Sequence, residues 1–70
     1  MTRHETFVKV CEENGVEDAQ DLFIQIKSDF GYGNKSEVED FGEFCDTEDL
    51  DLMDEEDIQE WLEDNGYINN

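Results

Sequence analysis

The sequence of 70 residues has room for a single acidic domain, 1–70, with a small hydrophobic core. Its 22 acidic and four basic side chains give a formal net charge of −18 at pH 7, so nucleic acids and anionic membrane surfaces would repel it. The two cysteines form no CxxC pair and no apolar leader is present, so we expect a cytoplasmic protein without a disulfide framework or a membrane anchor.

The first predicted helix covers residues 2–15. Thr2 and Glu5 have the spacing of a capping box, and Asn14 with Gly15 forms a typical helix stop. Between them, apolar residues recur at steps of three and four, as they do on the buried face of a helix. The β-branched run "TFVKV" leaves a strand open as an alternative.

The second predicted helix lies within residues 16–34. Five apolar residues follow helical steps and would form a buried stripe: Ala19, Leu22, Phe23, Ile26 and Phe30. The segment "LFIQI" could also alternate as a strand, so an α+β fold with a short strand or hairpin in residues 6–27 stays open. The glycines of "GYGN" then favour a turn.

The third predicted helix begins at Ser36, which with Glu39 repeats the spacing of a capping box. Its apolar residues also follow helical steps: Val38, Phe41, Phe44 and Cys45. Gly42 weakens the middle of this helix by about 1 kcal/mol relative to Ala. The following residues, 46–53, either alternate like a strand or form a helical turn capped by Thr47.

The last predicted helix has the clearest pattern. Asp54 suits the N-cap, and Met53 and Ile58 have the spacing of a hydrophobic staple. Ile58, Trp61 and Leu62 would form its buried stripe. The segments "VCEENGV" and "WLEDNGY" both end in Asn-Gly and an apolar residue, which is typical of a Schellman cap. The whole pattern predicts a mainly α bundle of three to four short helices.

Acidic residues concentrate in the second half of the chain. Residues 1–35 carry four bases and seven acids, whereas residues 36–70 carry fifteen acids and no base. The i, i+4 pair of Glu56 and Glu60 destabilises a helix by roughly 0.2–0.5 kcal/mol, and Glu63 opposes the helix dipole. Local rules that are broken repeatedly without local benefit indicate a function.

We therefore predict that the acids themselves bind a partner. The candidate residues are Asp46, Glu48, Asp49, Asp51, Asp54, Glu55, Glu56, Asp57, Glu60, Glu63 and Asp64. Four further acids would extend this track: Glu37, Glu39, Asp40 and Glu43. The seven acids of residues 54–64 would lie along about 16 Å of helix, or one charge per ~2.4 Å. That spacing falls between duplex DNA, with one charge per about 1.7 Å of axis, and a single strand, with one per about 3.4 Å.

Other classes of function have less support in the sequence. His4 is the only histidine, and Cys11 and Cys45 occupy apolar stripe positions, so we predict no enzyme activity. The calcium-loop pattern is not met, so we expect no dedicated metal site and no cofactor. An acyl-carrier-like domain would need an Asp-Ser-Leu motif, which neither Ser28 nor Ser36 provides.

Two alternatives treat the charge as structural rather than functional. Disorder would explain the composition, but five Phe, two Tyr and one Trp argue against it. A solubility device needs a net charge of only ~2–8 on a small domain. An acidic protein-interaction or carrier-like helical domain without DNA mimicry stays open as the second functional interpretation.

In its size, its charge and its acidic helical half on an aromatic core, the chain resembles the DNA-mimic proteins of bacteriophages and mobile elements. It is similar to phage-encoded inhibitors of the bacterial nucleoid protein HU. The resemblance implies a host inhibitor in the bacterial cytoplasm that binds no nucleic acid itself. The implied partner is a basic DNA-binding host protein: a nucleoid protein such as HU, RNA polymerase, a restriction enzyme or a CRISPR effector.

Two further expectations concern how such a partner is bound. Tyr32 and Tyr67 are candidate exposed anchors, because aromatic residues often carry binding energy at interfaces. A homodimer is also left open by the sequence, because the core is small and many proteins that bind duplex DNA are two-fold symmetric.

Overall fold

The computed structural model of the chain describes residues 1–33 and 37–68, and within these ranges it contains four α-helices and no strand. The helices are α1 (Arg3–Glu13), α2 (Ala19–Asp29), α3 (Phe41–Thr47) and α4 (Glu55–Asp64). The predicted mainly α fold is confirmed. The alternative of a strand or hairpin in residues 6–27 is wrong, because these residues form α1, a tight turn and α2.

The central helix is α1, which packs against α2, α3 and α4. The ring of Phe7 stacks on the ring of Phe41 with the centroids 4.5 Å apart, and Phe23 meets both rings edge-on. These three side chains are fully buried, and each contributes roughly 1.5–3 kcal/mol relative to an exposed position. An aromatic core therefore holds the four helices together.

The N-caps predicted for α1 and α4 are confirmed, whereas the one predicted for α3 is not. Thr2 and Glu5 form the predicted capping box of α1, and Asp54 caps α4. However, α3 begins at Phe41 with Asp40 as its N-cap, so the predicted start at Ser36 is wrong. Ser36 itself lies outside the described residues.

The shorter α3 has a physical reason in the core. Val38 is buried although it precedes the helix, and the buried Lys27 donates a hydrogen bond from Nζ to the Val38 carbonyl at 3.1 Å. If Val38 were in a helix, its carbonyl would point along the helix axis toward the N–H four residues later and not toward Lys27. Asp40 and Glu43 supply the cap instead, because Asp40 accepts a hydrogen bond from the Glu43 N–H at 2.8 Å.

Each of the four helices in the described ranges ends in a Schellman motif. The two predicted motifs are confirmed: Val16 N–H donates to the Cys11 carbonyl and Tyr67 N–H to the Leu62 carbonyl, both at 2.9 Å. Helices α2 and α3 end in the same way. The residues in the left-handed position are Gly15, Gly31, Asp49 and Gly66. Asp49 is therefore the one non-glycine residue among these four.

The connection between α3 and α4 is irregular. Residues 50–53 form neither the strand nor the helical turn that the sequence allowed, and Thr47 is the last residue of α3 rather than a cap. Met53 is 65% exposed, so its predicted staple with Ile58 is not a buried contact. Within the described part of the chain, none of the helices is long and apolar enough to cross a membrane.

Candidate functional site

One face of α4 and the preceding connection form a shallow groove of about 250 Å³, which we call the acidic groove. Asp57, Glu60, Trp61 and Asp64 line it from α4 at positions i, i+3, i+4 and i+7 of one helical face. Asp51 and Leu52 close its other side. The groove thus has an aromatic and aliphatic floor bordered by four carboxylates.

The indole of Trp61, which lines this groove, is packed among other aromatic rings. Its ring lies 5.9 Å from the ring of Phe44, 6.0 Å from Phe30 and 5.9 Å from Tyr67, measured between centroids. The sequence assigned Trp61 to the core, but the side chain is only half-buried and lines the groove. This prediction is corrected: Ile58 and Leu62 alone form the fully buried stripe of α4.

The groove carboxylates have no basic partner among the described residues. Arg3 pairs with Asp46 at 2.7 Å, and Lys9 pairs with Glu55 at 3.4 Å. Lys27 is buried over the ring of Phe23 and donates to a main-chain carbonyl. The three described bases therefore act elsewhere, and Asp57, Glu60 and Asp64 project into solvent.

The opposite flank of α4 faces α1 and is occupied by intramolecular contacts. Asn14 and Gln59 exchange two side-chain hydrogen bonds of 2.7 and 3.1 Å, and Gln59 donates to Glu63 at 2.6 Å. A hydrogen bond between Glu13 and Glu55 raises the pKa of Glu13 and lowers the pKa of Glu55, which Lys9 lowers further. Glu55 and Glu63 are thus half-buried structural acids as well as predicted partner-binding residues.

A second hollow of about 510 Å³ lies between the N-terminus of α1 and the α3–α4 connection. Asp46, Asp49 and Asp51 line it, and Asp51 also borders the acidic groove. The guanidinium of Arg3 lies in this hollow beside Asp46. Its charge is therefore partly neutralised, in contrast to that of the acidic groove.

The remaining predicted acids are divided between caps and solvent. Asp54 caps α4, and Glu48 accepts a hydrogen bond from the hydroxyl of Tyr32. Glu56 is exposed on α4 outside the groove. Glu37 and Glu39, two acids of the predicted extension, are exposed. The other two, Asp40 and Glu43, form the cap of α3.

The predicted exposed anchors are corrected by the structure. Tyr32 and Tyr67 are half-buried against the core, and the Tyr67 hydroxyl donates to Asp29 at 2.9 Å. Burial raises the pKa of Tyr67 to about 12, and the Asp29 carboxylate raises it as well. His4 also belongs to the fold, because its Nδ1 accepts a hydrogen bond from the Phe41 N–H at 3.0 Å.

Sequence reasoning missed the role of Trp61 and Leu52 as the floor of the groove. The spacing of Asp57, Glu60, Trp61 and Asp64 is visible in the sequence as one helical face. What the sequence lacked was the position of α1, which covers the flank that contains Gln59. Only that packing shows which side of α4 is left to solvent.

Comparison with known proteins adds no assignment to this geometry. No protein-family model matches the chain, and neither a curated protein nor a solved structure matches it. The acidic groove and its charge are therefore the observations from which a function can be proposed.

Proposed function

We propose that this protein is a DNA mimic that binds the DNA-binding surface of a basic host protein and blocks it stoichiometrically. The observation that carries the proposal is that four acids of α4 have no basic partner among the described residues. Asp57, Glu60 and Asp64 border the groove and Glu56 lies beside it, all four are exposed, and no described base pairs with them. These acids are available to cations from another molecule.

The spacing of the charges on α4 supports this proposal. The ten residues of α4 span about 15 Å, and six of them are acidic, which is one charge per ~2.5 Å. A surface of Lys and Arg side chains that fits phosphates would meet carboxylates at comparable intervals. Release of counterions would then favour the complex, as it does when basic proteins bind DNA.

The charge also limits what the partner can be. With a net charge of −18, the chain repels nucleic acids, so the proposed partner is a basic protein and not DNA or RNA. A nucleoid protein such as HU, RNA polymerase, a restriction enzyme or a CRISPR effector has the required surface. The proposed role is binding without catalysis.

Affinity capture from a bacterial lysate tests the proposal directly. The immobilised protein should retain DNA-binding proteins at low salt, release them as salt rises, and lose them to added duplex DNA. A variant with Glu56→Gln and Glu60→Gln should bind more weakly, and the dependence of log K on log salt should flatten by roughly one unit per lost contact. The variant Glu12→Gln with Glu17→Gln loses the same charge outside α4 and serves as the control.

Salt should act on the fold in the opposite direction. Screening reduces repulsion among the acids, so the thermal midpoint of the free protein should rise over the range of salt that dissociates the complex. Retained proteins with no affinity for polynucleotides would refute DNA mimicry. Equal binding by the α4 variant and the control would show that α4 is not the contact surface.

A further inference from the structure

We infer that the acidic groove is a receptor for an arginine side chain of the partner protein. The guanidinium would stack on the part of the Trp61 ring that lines the groove and donate hydrogen bonds to the carboxylates beside it. This inference rests on the proposed function for its source of arginine, a basic protein. It goes further by naming one residue type and one place where it binds.

The size and lining of the groove fit a single side chain. Its volume of about 250 Å³ lies below the ~300–1,000 Å³ of typical small-molecule sites. Leu52 and Trp61 offer an apolar surface to the methylene stem of an arginine. Asp57, Glu60 and Asp64 border the same groove and can accept from the charged head.

The aromatic floor favours arginine over lysine. A guanidinium is planar, holds less water than an ammonium group, and can stack on an indole while it donates to two carboxylates at once. Trp61 is also preorganised, because the surrounding rings of Phe30, Phe44 and Tyr67 fix its position. Little side-chain freedom would be lost at Trp61 on binding.

The second hollow provides an internal comparison. It also contains acids, but Arg3 already lies there and pairs with Asp46 at 2.7 Å. In the acidic groove no described base takes that place, and the floor is aromatic. Charge complementarity therefore directs an incoming arginine to α4 rather than to the hollow beside α1.

Trp61 is the only tryptophan in the chain, so tryptophan fluorescence follows a single residue, and that residue lines the groove. The experiment titrates the intact protein with two short peptides, one of alternating arginine and alanine and the other of alternating lysine and alanine, at the same salt. The arginine peptide should bind roughly 5- to 30-fold more tightly, because a guanidinium can stack on the indole and donate to two carboxylates at once, whereas an ammonium group cannot. Its binding should also change the Trp61 emission with the same midpoint.

Two matched variants decide whether the preference belongs to the groove. Glu60→Gln with Asp64→Asn removes two groove charges and should lower the ratio of arginine to lysine affinity by at least threefold. Glu12→Gln with Glu17→Gln removes two exposed charges outside α4 and should weaken both peptides equally, leaving the ratio unchanged. Trp61→Phe, checked for retained helicity by circular dichroism, should reduce the ratio as well.

The possible results separate this inference from the proposed function. Equal affinities of the wild-type protein for both peptides would overturn the arginine site, even if DNA-binding proteins are captured from the lysate. The same ratio in the groove variant and in its control would overturn it too. An arginine preference that depends on the groove, together with captured partners that bind no DNA, would support the site and refute DNA mimicry.

Discussion

Asp49 combines a backbone cost with a predicted partner-binding charge, so its replacement by glycine should separate stability from function. It occupies the left-handed position of the Schellman motif at the end of α3, with φ of 57°. The motif itself is well formed, because Leu50 N–H donates to the Cys45 carbonyl at 2.8 Å. Its three counterparts in the described residues are glycines: Gly15, Gly31 and Gly66. Asp49→Gly should therefore keep the turn and remove the strain.

The expected magnitude follows from two opposing terms. A non-glycine residue in the left-handed region costs roughly 1–2 kcal/mol. Glycine has greater conformational freedom in the unfolded chain, and this lowers the stability gained by removing the strain by about 0.5–1 kcal/mol. The free energy of unfolding should therefore rise by roughly 0.5–1 kcal/mol. In a domain of this size, that corresponds to an increase of roughly 2–8 °C in the thermal midpoint.

Thermal and urea unfolding followed by far-UV circular dichroism would measure this gain. Asp49→Asn is the matched control, because it removes the charge and leaves a side chain in the left-handed position. If the gain comes from the backbone, Asp49→Gly should exceed Asp49→Asn by most of the predicted amount. Equal gains in the two variants would assign the effect to charge, and a loss of stability in Asp49→Gly would refute the reasoning. Capture of the partner should weaken in both variants if Asp49 contacts it.

Two further predictions concern groups that burial protects. Cys11 and Cys45 are fully buried, and burial raises the pKa of each thiol to about 11, so a thiol reagent at neutral pH should label them only as fast as the protein opens. Rapid labelling of both thiols without denaturant would contradict this packing. The pKa of Tyr67 is raised from 10.0 to about 12, so the folded state retains this proton at higher pH than the unfolded state does. The stability that this provides should be complete below pH 10 and lost as pH rises toward 12. The urea midpoint of unfolding should therefore fall less steeply with pH in Tyr67→Phe than in the wild-type protein. Identical slopes in the two proteins would contradict the raised pKa of Tyr67.

The parts of the fold that the sequence predicted depend on local chemistry. Thr2, Glu5 and Asp54 act within one helical turn, so the starts of α1 and α4 could be read from their spacing. The start of α3 could not, because Ser36 with Glu39 and Asp40 with Glu43 offer two overlapping caps. The choice depends on burial of Val38 and on the hydrogen bond from Lys27, which are tertiary contacts.

The candidate site was predictable in composition but not in arrangement. Charge density and helical period placed acids on α4 and apolar residues opposite them. The flank that contains Gln59 faces α1, and this separates Glu63 from Glu60 although both were predicted to share one exposed track. A helical wheel has no information about a neighbouring helix, so the half-buried position of Trp61 at the groove could not be derived from it.

The ion pairs of α1 account for only a small part of how the fold accommodates so acidic a second half. Arg3 and Lys9 lie on α1 and connect it to Asp46 on α3 and Glu55 on α4. Both pairs are substantially exposed, and such pairs contribute about 0–1 kcal/mol each, so they orient the helices more than they stabilise them. The aromatic core supplies the stability, and the outward acids of α4 make no ion pair with a described base. Neutralising Glu60 should then strengthen the fold and weaken the complex, a pair of opposite effects that a purely structural role of the charge cannot produce.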